Sequence, residues 1–406
     1  MKRWILLLTG LFTLLYAVAA TAQEMPPMRS KAVAGTWPRL TIGGRGIVTF
    51  NYDYKNKLED EEDGEKIDFA DTSLFFQIDE ELYSKVHGGF IIGFKFPDKD
   101  VELEDWEPVF FSQVNAFLDA ERWGVTLGRT RLHNKMITFP TIRDDDQLTY
   151  TWILNGMVNN DASELHQFGS QLIGDAYFRD SALRFSAYTG NMFVTDEAGD
   201  EVLNEFDLNA FGFDAVYDIP IGLRYEQYLR TVGLTYFTQK VDTEEEDWMH
   251  SIILGSVVNL NKNPLYHWDA RAQLIYNNGA DRESVESIQD RALSEYVSAA
   301  AAVRYLHQPY QIPFMQAALT VAYKDFSDVD AAKMSIIPSF VYRLGNNFDL
   351  LAQYEYEKNF DKLEDVTGIE DEHTVWVGLA FNYNVMFNDY IGERRELVNV
   401  LHDYIP

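Results

Sequence analysis

From about residue 39 onward the chain repeats one pattern: polar and apolar residues exchange places at every step, a connection follows, and the pattern begins again. In "LTIGGRGIVTFNYDY", Leu40, Ile42, Val48, Phe50, Tyr52 and Tyr54 share one face, and Thr41, Arg45, Thr49, Asn51 and Asp53 share the other. "FMQAALTVAYK" sets Met315, Leu319, Val321 and Tyr323 against Gln316, Thr320 and Lys324. "FDLLAQYEYE" and "YHWDARAQLIY" divide the same way. Period two, with one greasy and one polar face, means a strand that meets different surroundings on its two sides. A soluble sandwich hides the greasy face and a membrane barrel shows it to lipid, so alternation alone leaves both open. The strand ends favour the barrel. Tyr52, Tyr54, Tyr323, Tyr342, Tyr354, Tyr356 and Tyr383 fall there, where a membrane barrel carries its aromatic girdles.

About sixteen such segments are expected, an even number as bacterial barrels require. Their spans are 39–54, 70–82, 87–96, 108–120, 122–130, 169–179, 181–190, 207–219, 228–240, 249–260, 266–277, 294–307, 313–324, 334–344, 347–357 and 372–385. The connections take turns. One set is short: "SKVH", the turn at Ala120-Glu121, "DS", "HQPYQIP", "GNN". The other is long and acidic: "KNKLEDEEDGEKIDF", "PDKDVELEDWEP", "NMFVTDEAGDEVLNEF", "VDTEEEDW", "NGADRESVESIQDRA", "DFSDVDAAK" and "NFDKLEDVTGIEDEH". A soluble barrel has no physical reason to collect its surplus acid at one rim. The fold expected is therefore all-β, a transmembrane antiparallel up-and-down barrel with short periplasmic turns and long acidic external loops. "DEEDGE" at 60–65 resembles a calcium loop in composition, but its carboxylates miss the alternate positions of an EF-hand.

The ends belong to export rather than to the barrel. Lys2 and Arg3 precede an uncharged apolar stretch, Trp4 to Ala20, and Ala20-Thr21-Ala22 is a small-x-small cleavage site. Residues 1–22 read as a signal peptide; the alternative, an uncleaved anchor, needs a longer apolar stretch. Residues 23–38 follow as a periplasmic segment, 39–387 as the barrel, and 388–406 as a periplasmic tail in which 393–405 form either a short helix or an extension. The chain has no cysteine, which removes disulfides, thiolate metal sites and acylated cysteine. With 64 acids against 34 bases and a formal charge of −30 it repels phosphate backbones, so nucleic acid is not an expected partner.

The longest connection, 131–168, follows "RWGVTLGRT" and contains "NKMITFPTIRDDDQLTY". With the N-terminus in the periplasm it is the third external loop. Here "LGRTRLHNKMITFPTIRDDDQL" resembles the Gram-negative outer-membrane porins of the sixteen-stranded trimeric type, whose third loop folds into the barrel and narrows it. The resemblance implies an inward-folded loop, a homotrimer, and an outer-membrane location amid bilayer lipid and lipopolysaccharide. So many strands enclose a lumen too wide for side chains to fill, and an inward loop would set the size limit. Asp144, Asp145 and Asp146 are the candidate acidic side of a constriction, and Arg45, Arg184, Arg271, Arg304, Lys324 and Arg343 hold the inward parity that makes them its basic wall. Arg271, Arg304 and Lys324 come from three successive strands and are expected to cluster. Arg129, Arg131 and Arg143 are candidate anchors of the loop, although Arg129 shares parity with lipid-facing Trp123, Val125 and Leu127 unless the strand ends or bulges there. Two further readings stay open: the aspartates as a solvated or cation-binding loop tip, and the arginines as partners of lumen acids such as Asp175, Asp214 and Asp269.

The expected function is passive diffusion of small polar solutes and ions through a water-filled channel, with weak cation preference from the acidic mouth. No cofactor or metal is implied. A substrate-specific channel and a structural or adhesive barrel are the alternatives. An enzyme in the barrel wall would need Ser and His facing lipid near one rim; His267 and His307 lie near short turns and His250 and His373 near outer loops, with no evident serine partner in sequence.

Overall fold

The computed structural model describes residues 39–57, 61–68, 73–83, 86–95, 110–120, 122–129, 139–141, 173–180, 182–190, 194–195, 201–202, 210–219, 225–240, 248–278, 295–308, 314–326, 331–344, 348–361, 363–364 and 368–387. Strands run β1 (Arg39–Lys57), β2 (Glu61–Asp68), β3 (Ser73–Tyr83), β4 (Val86–Lys95), β5 (Phe110–Ala120) and β6 (Trp123–Arg129). There follow β7 (Ile173–Asp180), β8 (Leu183–Gly190), β9 (Val194–Thr195), β10 (Glu201–Val202), β11 (Ala210–Asp218), β12 (Leu229–Lys240) and β13 (Trp248–Asn259). The last six are β14 (Tyr266–Asn278), β15 (Tyr296–His307), β16 (Met315–Phe326), β17 (Ala331–Arg343), β18 (Phe348–Asp361) and β19 (Ile369–Phe387).

All sixteen expected strands are present, each pairing antiparallel with its neighbours. The hydrogen-bonded ladder runs from β3 through β8 to β11, on to β19, and returns through β1, which pairs with β19 on one edge and β3 on the other. Every barrel strand thus has two neighbours, which removes the open edges that invite aggregation.

Two differences lie in the long loops. The acidic run at 61–68, expected to be irregular, is strand β2, which continues the β1 hairpin by pairing Glu61–Asp68 with Thr49–Asn56. Lower down, β1 pairs with β3 instead. The loop connecting β8 to β11 carries the small hairpin β9–β10. The small hairpin pairs Val194 with Val202, and β2 pairs Ile67 with Phe50 of β1.

Burial gives the polarity of the wall. Along β14 exposed and buried residues strictly alternate: Trp268, Leu274 and Tyr276 face out, while His267, Asp269, Arg271 and Gln273 face in. Thr41, Thr49 and Asn51 are buried on β1 while Val48, Phe50 and Tyr52 are exposed. Leu127, Leu183, Phe185, Phe213, Leu254, Leu319, Val377 and Leu379 continue the outward apolar band, each more than 40 % exposed. A band of that extent is beyond what a soluble monomer leaves to water, and it matches a hydrocarbon environment.

Candidate solute path and its arginine cluster

The inner wall from β13 to β18 can be read row by row from the pairings. One row, towards the short-turn rim, is Asn259, Asp269, Arg304, Ala318, Ser339 and Gln353. The next row, towards the long loops, is Val257, Arg271, Ala302, Thr320 and Ile337. Further along lie Gln273, Ala300 and Ala322, and then Ile253, Ile275, Ser298, Lys324 and Lys333. The wall therefore has two charged levels separated by a band of small and apolar residues.

At the lower level three arginines converge on one carboxylate. Arg304 donates from Nε and Nη2 to Asp269 Oδ2 at 3.0 and 2.6 Å. Arg271 Nε donates to Asp269 Oδ1 at 3.1 Å, and Arg230 Nη1 stands 3.9 Å from Oδ2. Gln316 Oε1 accepts from Arg304 Nη1 at 3.4 Å. Beside them His267 is buried, its Nε2 3.7 Å from Asp269 Oδ2, and neither ring nitrogen has a hydrogen-bond partner among the described residues. Tyr225, from the turn before β12, closes the short-turn side. Its hydroxyl donates to Gln308 Oε1 and accepts from Gln308 Nε2, and its ring meets His267 edge-on at 4.7 Å. Three guanidiniums thus surround one buried carboxylate, in surroundings where charges interact more strongly than in water.

Parity along β12 does not predict Arg230. Val232 and Leu229 are exposed to the outside and Thr231 is buried inside, so regular alternation turns residue 230 outward. The ladder with β13 shifts register between Leu229 and Thr231, and this bulge turns Arg230 to the lumen.

The upper level differs. Lys324 is fully buried and stacks over the rings of Tyr296 (3.8 Å) and Phe326 (4.7 Å), while its pairing partner Lys333 lies 2.8 Å from Glu357 Oε2. Lys324 on β16 and Arg304 on β15 stand six positions apart in the ladder, roughly 20 Å along the strands. The expected cluster of Arg271, Arg304 and Lys324 thus holds the two arginines, with Arg230 as the third member and Lys324 apart. Arg343 Nε donates to Asp349 Oδ1 at 3.3 Å, and Arg184 Nε to Ser186 Oγ at 3.1 Å on β8. Arg45 occupies β1 opposite Asn382 and Ser73. The pairing of lumen arginines with lumen acids is realised at Asp269 and Asp349, and Asp214 accepts from Thr235 Oγ1 at 2.7 Å.

The apolar band between the two levels holds part of the third loop. Phe139 is 2 % exposed and belongs to one buried cluster with Ile253, Val257, Ile275, Tyr296, Ala300, Ala302, Ala322 and Phe326. Leu363, from the last long connection, joins the same cluster. Ser339 Oγ donates to the Pro140 carbonyl, across 199 residues of chain. The alanines leave a recess in the wall, and Phe139 fills it. Asp144, Asp145, Asp146, Arg131, Arg143 and the segments 1–22, 23–38 and 388–406 lie outside the described residues, as do the side chains of Arg45 and Arg129. At the base of the loop Gly128 has φ 117°, and a Cβ there would come within 2.5 Å of the Val114 carbonyl oxygen, so the strand leaves regular geometry one residue before Arg129.

The outward histidines have tyrosine partners. The Tyr354 hydroxyl is 2.6 Å from His373 Nδ1, and Asp371 Oδ1 is 3.2 Å from His373 Nε2. Tyr236 and Thr238 hydroxyls both approach His250 Nδ1, at 2.8 and 3.0 Å. His307 stacks on Tyr266 at the opposite rim.

No protein-family model matches the chain, and no curated protein does. Solved structures do. The anion-selective porin from Comamonas acidovorans is 16% identical with a TM-score of 0.58, over 85% of this chain and 99% of that one. Salmonella typhi OmpF in complex with daunomycin is 11% identical with a TM-score of 0.57, over 84% and 97%. The outer membrane channel DcaP of Acinetobacter baumannii is 11% identical with a TM-score of 0.54, over 86% and 100%. The chain has the fold of the outer-membrane porin barrels, along almost the whole length of each.

Proposed function

We propose that the chain forms a water-filled channel in the bacterial outer membrane, passing small hydrophilic solutes and ions down their gradients. The observation that carries this reading is the polarity of the wall: lipid-compatible side chains outside, and threonine, asparagine, glutamine and charged side chains within. A barrel serving only as an anchor or adhesin has no need of a charged inner wall. The porins whose fold it has are channels by name, which supports the same reading.

The third loop, 131–168, is the constriction. Its described piece sits in the wall recess, and Ser339, which holds Pro140, stands two strands from Arg304 in one ladder row, about 10 Å away. Asp144, Asp145 and Asp146 follow Pro140 by four to six residues, a reach of at most roughly 22 Å, enough to bring them opposite the arginines. Acid on the loop and base on the wall set a transverse field that favours small polar solutes. The acidic mouth adds a weak cation preference for monovalent ions. A channel needs no catalytic group, and His250 and His373 on the outer face have tyrosine hydroxyls as partners.

Residues 1–22 serve export, 23–38 and 388–406 lie in the periplasm, and lipopolysaccharide surrounds the long-loop rim. The assembly is a homotrimer, for which the outward face of Ala272, Ala299, Ala301 and Ala317 is smooth enough to pack. The deciding experiment is planar-bilayer recording of the purified protein before and after deletion of residues 140–150. Stepwise conductance that rises on deletion is expected; an intact barrel with no conductance steps in either form refutes the channel.

A further inference from the structure

The connection between β11 and β12, residues 219–228, is the longest on the short-turn rim. Joining two neighbouring strands requires a span of about 5 Å, one strand spacing. Tyr225 instead reaches Gln308 at the end of β15, three strands from β12 and roughly 14 Å round the wall. Its hydroxyl donates to Gln308 Oε1 at 3.1 Å and accepts from Gln308 Nε2 at 2.9 Å, and its ring meets His267 edge-on. His267 stands on the inner face of β14, opposite Leu306 and one row nearer the rim than Asp269. Two bonds hold the return to β12: Asn259 Nδ2 donates to the Gln227 carbonyl at 2.8 Å, and the Asn259 amide N–H to the Tyr228 carbonyl at 2.7 Å. Asn259, His267 and Gln308 face the lumen at a rim where an open barrel would wet them, yet they are 1%, 0% and 4% exposed. Tyr225 therefore lies on the inner surface of the barrel and covers it.

We propose that this turn forms a second constriction, on the short-turn side of the one made by the third loop, with Tyr225 setting its width and Gln308 holding it in place. This rests on the channel reading above and adds a second sieve to it. A turn that served only to join β11 to β12 could be two residues long, as those joining β3 to β4, β5 to β6 and β7 to β8 are. Tyrosine suits the position. Its rigid ring fills cross-section at little entropic cost, and its hydroxyl keeps the buried Gln308 amide paired. Two constrictions in series add their resistances, so each limits the current whatever the other does.

The test is planar-bilayer recording of the full chain, which has no cysteine of its own, with single cysteines introduced. A methanethiosulfonate reagent added on the short-turn side to Tyr225→Cys lowers the step conductance of each channel, and a reductant restores it. The same reagent on Lys262→Cys, at the exposed tip of the β13–β14 turn, leaves the conductance unchanged. Tyr225→Ala raises the conductance and shifts exclusion of graded polyethylene glycols, applied from the short-turn side, to larger polymers. Exclusion from the long-loop side, set first by the third loop, does not move. In the protein lacking residues 140–150 the gain from Tyr225→Ala is larger, because the remaining resistance then lies mostly at the turn. Tyr225→Phe keeps the ring and loses both hydrogen bonds, so its exclusion size stays and its current noise rises. An unchanged current at fully labelled Tyr225→Cys, or an unchanged exclusion size in Tyr225→Ala, overturns the constriction. A wild type without conductance steps refutes the channel instead. Should Tyr225→Ala and Tyr225→Cys fail to insert, the conservative Tyr225→Phe decides, and a current as quiet as that of the wild type overturns the proposal.

Discussion

Phe139→Ala removes the ring by which the third loop holds the barrel wall. The ring is almost wholly buried among Ile253, Ile275, Tyr296 and the alanines of β15 and β16, and burying such a side chain contributes about 3 kcal/mol. The Ser339 hydrogen bond to the Pro140 carbonyl adds about 1 kcal/mol. A loop held by about 4 kcal/mol is released roughly one part in a thousand of the time; with about 1 kcal/mol left, it is released roughly a sixth of the time. Planar-bilayer traces of the wild type should be steady. Those of Phe139→Ala should flicker to a larger conductance for about that fraction of the record. Ser339→Ala, losing only the hydrogen bond, should raise release about fivefold, still under one part in a hundred. The sixteen-strand ladder is untouched by either change, so the heat-modified mobility of the folded barrel should not move. A Phe139→Ala channel with wild-type conductance and open-channel noise, in a barrel shown to be intact, would refute the idea that this ring docks the loop.

Leu379→Arg places a charge on the lipid face of β19 and should cost about 2–4 kcal/mol of barrel stability near mid-membrane, whereas Gln273→Arg on the inner face should fold normally; urea unfolding in bilayers compares the two. Asp269→Asn leaves three guanidiniums without their shared carboxylate and should destabilise by about 3–5 kcal/mol, read as a lowered melting temperature of the folded barrel in electrophoresis. Gly128→Ala puts a Cβ into the Val114 carbonyl at a left-handed φ, and should lose about 1–3 kcal/mol, seen as reduced folding yield into detergent. Ala116, on the same strand pair and facing outward, should tolerate Gly or Ser without that loss.

How much of this was legible follows from what each part of the chain must satisfy. A lipid-facing side chain has one solution, an apolar one, so Phe50, Leu319 and Leu379 announce both their strands and their direction. The same parity correctly turned Arg271, Arg304 and Lys324 inward. Strand ends were less plain. Ala331, Ala332 and Lys333 belong to β17 although they carry no alternation, and the acidic β2 pairs with Thr49–Asn56 of β1 although its own sequence is not alternately greasy.

The inner surface is a different problem, because water, a folded loop or an opposing charge can each satisfy a polar side chain there. Nothing in the order of residues says that Asp269, rather than a loop aspartate, meets Arg304; the register that sets them directly opposite on β14 and β15 decides it. Nor does parity reveal Arg230, since a bulge is by definition where parity fails. One signal was available: Leu229, Arg230, Thr231 and Val232 cannot all obey alternation if both Leu229 and Val232 face lipid, because three positions separate them. A single extra residue must lie between, and the only polar side chains there are Arg230 and Thr231, both of which then turn inward. The bulge was therefore implicit in the spacing of two greasy residues, and with it the third arginine of the cluster.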